Sequence, residues 1–82
     1  MKATKIGTIE KGIDGGDEYL RIDLDETDPE NWKLPEVTKY LNEMYWCGSR
    51  HPGAYFCDSV TVMPNPLNDK SFVAVIHHQY DV

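Results

Sequence analysis

The spacing of apolar residues follows a period of two through most of the chain and changes to a helical period once. From Glu18 to Asp25 the alternation is clean: Leu20, Ile22 and Leu24 fall on one side, and Tyr19, Arg21, Asp23 and Asp25 on the other. This is the pattern of a strand with one face in a core and one in water. Thr4 to Lys11 is predicted as the strand before it. Ile6 and Ile9 there are out of phase for strict alternation, and a bulge at Gly7 would return both to one face. Between these strands, Gly12 to Asp17 is rich in glycine and aspartate, the residues that supply positive φ in hairpin turns.

The helical period occupies Pro35 to about Cys47, where Val37, Tyr40, Leu41, Met44 and Tyr45 recur at three- and four-residue intervals. Asp28-Pro29-Glu30 also has the chemistry of a helix start. Pro35 interrupts it, so Pro29 to Lys33 is expected to make a single short turn. Gly48 is the expected C-terminal cap. After a loop at Ser49 to Gly53, Ala54 to Met63 is predicted as the third strand, Pro64 to Asp69 as a turn, and Ser71 to about Tyr80 as the fourth strand. Phe72 to Ile76 is apolar at every position, which predicts a central strand or one covered on both faces. The resulting order, β-β-α-β-β, implies a small single α+β domain: a mainly antiparallel four-stranded sheet with one helix packed on one face.

Length and composition agree with one core. Eighty-two residues, 40% apolar and with nine aromatics, make one domain. A chain of this size buries roughly 60–65% of the surface exposed when unfolded. The N-terminal stretch has no apolar run of the kind a signal peptide carries, and nowhere do about 20 apolar residues follow one another as a membrane span requires. The expected compartment is the cytoplasm, with Cys47 and Cys57 both reduced.

Charge changes the picture more than composition does. The net charge is −6, and eight acids lie between Asp14 and Glu30 with Arg21 as the single base among them. Such a segment repels phosphate backbones, which argues against direct nucleic-acid binding, and attracts cations and basic proteins. Carboxylates spaced along a strand and into a turn can also imitate the negative charge of a nucleic-acid backbone. Small acidic inhibitors carried by phages and mobile elements use this strategy to block basic, nucleic-acid-binding partners. The plain alternative is a solvated acidic face that keeps a small protein soluble.

Other chemistry is thinly represented. Asp23 to Glu30 begins like a calcium loop but lacks the glycine at the bend. Cys47, Cys57, His51, His77 and His78 do not have the spacing of a zinc site, and His77 and His78 point to opposite sides of a strand. Cys47 near a helix C-terminus and Cys57 beside Asp58 are poorly placed for activation as nucleophiles. No cofactor and no metal are expected. Around the loop, Tyr45, Trp46, Tyr55 and Phe56 with Arg50 either anchor the core or form an interface hot spot, and Trp32 has the same two readings.

Two functional readings follow. In the first, the protein binds a protein partner with a basic surface through Asp17, Glu18, Asp23, Asp25, Glu26, Asp28, Glu30, Trp32, Trp46 and Arg50. In the second it is a self-associating accessory subunit, a homodimer that buries the uncovered sheet face (Val73, Val75, Tyr55) or an edge strand. A small enzyme or a metal-binding domain using Cys and His stands third.

Overall fold

A computed structural model describes residues 1–10, 15–48 and 54–81, with side chains at 54, 55 and 81 excepted. The elements are β1 (Lys2–Glu10), β2 (Gly15–Asp23), α1 (Leu34–Met44), β3 (Ala54–Asn65) and β4 (Asn68–Asp81). The strands form one sheet in the order β1-β2-β4-β3, with every neighbouring pair antiparallel. The expected α+β architecture is therefore present, and the apolar run Phe72 to Ile76 does lie on a central strand. Because β2 and β3 both run antiparallel to β4, they are parallel to each other, and α1 carries the chain from one to the other.

Alternation decides the two faces. Leu20 and Ile22 of β2, Cys57 and Val60 of β3, and Phe72, Ala74 and Ile76 of β4 form the core with Val37 and Leu41 of α1. Ile22, Val37, Leu41, Ala74 and Ile76 are completely buried. Residues one position out of phase, among them Asp17 and Arg21 of β2 and Val73, Val75 and His77 of β4, occupy the face away from the helix. Val75 is nevertheless buried, because a central-strand residue is flanked by its cross-strand neighbours Tyr19 and Thr61.

Several boundaries differ from the sequence expectations, each for a local reason. Gly15 and Gly16, assigned above to a turn, are the first residues of β2 and pair with Gln79 and His78. Gly15 has φ of 124°, and a Cβ there would collide with the carbonyl oxygen of His78. The glycine serves close strand approach rather than chain reversal. The irregularity in β1 falls between Lys5 and Gly7, so Ile6 is the extra residue. Ile6 and Ile9 are both exposed. The turn predicted at Pro64 to Asp69 shrinks to Pro66 and Leu67, since Asn65 pairs with Asn68. Asn65 Oδ1 accepts a hydrogen bond from the Leu67 N–H at 2.9 Å, which closes the turn. Pro64 is tolerated within β3 because β3 is an edge strand. Residues 11–14 and 49–53 of the expected turn and loop lie outside the described residues.

The helix ends three residues early. The Cys47 N–H donates to the Asn42 carbonyl (3.1 Å) and the Trp46 N–H to the Glu43 carbonyl (3.2 Å). This is the bond pair of a Schellman C-cap, whose left-handed residue is usually glycine. Here it is Trp46, with φ of 55°. Gly48, the expected cap, also has positive φ but lies beyond the motif, where its N–H donates to the Cys57 carbonyl at 2.8 Å. That contact joins the helix exit to β3. Cys47 and Cys57 form a disulfide across the same junction, with Cα atoms 4.8 Å apart. The expectation of two reduced thiols is thus corrected: ten residues separate them in sequence, but the crossover returns β3 beside the end of α1.

Candidate functional site

The acidic segment runs from β2 into the loop before α1, and the fold distributes its carboxylates over three places. Asp17 and Asp23 lie on the sheet face away from the helix. Asp23 accepts from Arg21 Nε at 3.1 Å. Asp17 accepts from His77 Nδ1 at 2.9 Å, and His77 Nε2 is 2.9 Å from Thr61 Oγ1. A carboxylate can only accept, so Nδ1 carries the proton and donates to Asp17, and the other ring nitrogen shares a hydrogen bond with the threonine hydroxyl. Hydroxyl, imidazole and carboxylate thus follow one another across β3, β4 and β2 in the order of a nucleophile, its base and an orienting acid. A cleft on this part of the sheet is lined by Asp17 but by neither His77 nor Thr61. The arrangement binds three strands together, and it was invisible in sequence because it depends on the strand register.

Glu18, one residue on from Asp17, lies on the helix side. It approaches Lys5 Nζ at 3.8 Å. Burial, and then the charge of Glu18, push the Tyr45 hydroxyl above its ordinary pKa.

The remaining carboxylates converge. Asp25, Glu26, Asp28 and Glu30 line a cleft of about 270 Å³ together with Trp32, and Asp69 joins them from the start of β4. Lys33 and Lys70 are the two cations of the lining, against five carboxylates. The loop is built by its own acids. Asp25 Oδ1 accepts from the Thr27 N–H at 2.8 Å and from the Thr27 hydroxyl, and Asp28 Oδ2 accepts from the Asp25 N–H at 3.0 Å. The N-terminal ammonium of Met1 lies 3.1 Å from Asp25 Oδ2 and 2.8 Å from Asp28 Oδ2. The Thr27 hydroxyl and N–H, followed by the ammonium, hold the Asp25 carboxyl down at about 2, against 3.8 ordinarily. Hydrogen bonds to Asp28, and then to Asp25, raise the pKa of the ammonium. Asp25 and Asp28 therefore shape the cleft, while Glu26 and Glu30 are exposed on it.

The aromatic residues divide between the two readings given above. Trp32 is half-buried, with its ring centroid 5.2 Å from that of Tyr40 at a tilt of 53°. Tyr45 packs partly against the core and Phe56 is buried. Trp46 is 75% exposed. Arg50 and the side chain of Tyr55 lie outside the described residues. Among the described residues, no three His, Cys, Asp or Glu side chains are grouped to hold a metal ion. No described helix is long and apolar enough to cross a membrane. Protein-family models, curated proteins and solved structures yield no match to this chain.

Proposed function

We propose that this chain is a small binding protein that engages a basic protein partner through the acidic cleft and blocks the surface with which that partner holds nucleic acid. The observation that supports the reading is the convergence of Asp25, Glu26, Asp28, Glu30 and Asp69 around one cleft beside Trp32. A lysine or arginine side chain entering it meets carboxylates on several sides and an indole on which its cation can rest. Partners that carry nucleic acid present such side chains in rows. In the cytoplasm, the compartment expected from the sequence, reducing conditions would disfavour the Cys47–Cys57 bridge. The cleft lies before α1, at the opposite end of the helix from the disulfide, so this reading does not depend on the redox state of the cysteines.

The structure directs the choice of variant. Asp23 and Asp25 are held by Arg21, Thr27 and the N-terminus, so reversing them would disturb the fold as well as the surface. Glu26 and Glu30 are exposed. The double variant Glu26→Lys/Glu30→Lys is expected to keep wild-type stability within about 0.5 kcal/mol. It should lose a partner captured from cell lysate, and the wild-type complex should dissociate as salt rises. A partner retained equally by both proteins and at high salt would refute the reading.

A further inference from the structure

The helix covers one face of the sheet only. On the other face, strand register sets side chains in rows across the strands, because residues opposite one another in an antiparallel pair share a face. The middle row holds Tyr19 of β2, Val75 of β4 and Thr61 of β3. The row on one side of it holds Thr4, Arg21, Val73 and Met63. The row on the other side holds Ile9, Asp17, His77 and Ser59. Met63 and Ile9 are 46% and 53% exposed, and Tyr19 and Val73 are half-buried. With Val75 they form an apolar diagonal from one edge of the sheet to the other.

The charges on this face are self-complementary. A second copy can be turned over about an axis that crosses the strands at the middle row. Each flanking row then meets the other flanking row of the partner. Arg21 faces the partner's Asp17, and the symmetry makes this contact twice. The Arg21 side chain is 56% exposed, and a guanidinium has donors beyond the Nε that Asp23 takes. Tyr19 and Val75 meet their own counterparts on the axis, and Thr4 meets the partner's Ile9. An aromatic at the centre with charge pairs around it is the anatomy of a specific interface.

Area and the sheet edges support the same occupant. The nine residues of β2 make a face about 30 Å long at about 3.3 Å per residue. Four strands at about 4.8 Å make it about 19 Å wide. Two copies would cover about 1,200 Å² in all, the lower end of stable interfaces. Strand addition at the edges is opposed instead. β3 carries Pro64 and an irregularity between Cys57 and Ser59, and β1 carries Lys2, Lys5 and an irregularity at Ile6.

We propose that the chain forms a two-fold symmetric dimer, its sheets packed face to face with Tyr19 and Val75 at the centre. The dimer is independent of the function proposed above, because the acidic cleft lies in the loop before α1 and not on this face. Sedimentation equilibrium of the full chain should show a reversible dimer with a Kd on the order of 10–100 µM. In a mixture of isotope-labelled and unlabelled chain, filtered NOEs between copies should join the Tyr19 rings to Val75 methyls and Ile9 to Thr4. Tyr19→Lys sets two cations on the axis and should weaken the dimer at least tenfold, to about 1 kcal/mol or more of lost affinity. Glu26→Lys/Glu30→Lys should leave it unchanged. A chain still monomeric at about 1 mM would overturn the proposal. So would a dimer whose NOEs come from an edge strand or the acidic loop, or a folded Tyr19→Lys variant that dimerises like the wild type. The NOEs are read on the wild-type chain, so they decide the matter even if Tyr19→Lys fails to fold.

Discussion

Trp46 shows how a single residue departs from what local physics favours. Glycine at its position would adopt φ of 55° without strain. Trp46→Gly is therefore expected to raise stability by about 1 kcal/mol, measured by urea denaturation, while removing the exposed indole. A loss of stability would show that the indole contributes packing its exposure does not suggest. Asp25 makes a second prediction at this scale. Its folded pKa, about 2, lies below the 3.8 of the unfolded chain. A depressed carboxyl pKa contributes stability that is complete above the unfolded value and is lost as pH falls through the folded one. The contribution of Asp25 should thus be full above about pH 4 and decline toward pH 2. Asp25→Asn should flatten that part of the pH–stability profile, as followed by the thermal midpoint. The alternation of Leu20 and Ile22 was readable without any structure, because side-chain direction along a strand is set by the backbone alone. The partners of Asp17 were not, because His77 lies sixty residues away and only strand register brings it opposite.

At the scale of elements, the junction between α1 and β3 combines a helix cap, the Gly48 to Cys57 backbone bond and the disulfide. A bridge closing a loop this short stabilises by about 2–3 kcal/mol through the entropy of the unfolded chain. Reduction, or Cys47→Ser/Cys57→Ser, should lower the unfolding free energy by about that amount and loosen the last helical turn. Hydrogen exchange at Tyr45 to Cys47 would register the loosening, and unchanged protection there would show that packing alone holds the junction. Element type was legible throughout: four strands and one helix occur where the periods of two and 3.6 place them. The ends were harder to read. β2 extends back to Gly15 because β4 is long enough to offer it partners. The helix stops at Met44 because the chain must turn toward β3. Both boundaries are set by neighbours distant in sequence.

At the scale of the whole molecule, the described residues share one core cluster, with Leu41 of α1 completely buried in it. A domain of this length has a total stability of roughly 4–12 kcal/mol. Leu41→Ala, expected to cost about 2–5 kcal/mol, takes a large share of it. The midpoint of urea unfolding should fall sharply, and a small shift would mean that α1 closes over the gap. The sequence by itself determined the fold class, the order of elements and the concentration of acid between Asp14 and Glu30. These follow from periodicity, turn chemistry and composition, all properties of neighbouring residues. Tertiary structure alone decided which carboxylates stand together. It sent Asp17 and Glu18 to opposite faces of the sheet and joined Asp25, Glu26, Asp28 and Glu30 to Asp69 across the end of the hairpin. It also brought Cys47 to Cys57. The reason is physical: a local pattern specifies which way a side chain points, but only the pairing of distant segments specifies what it meets.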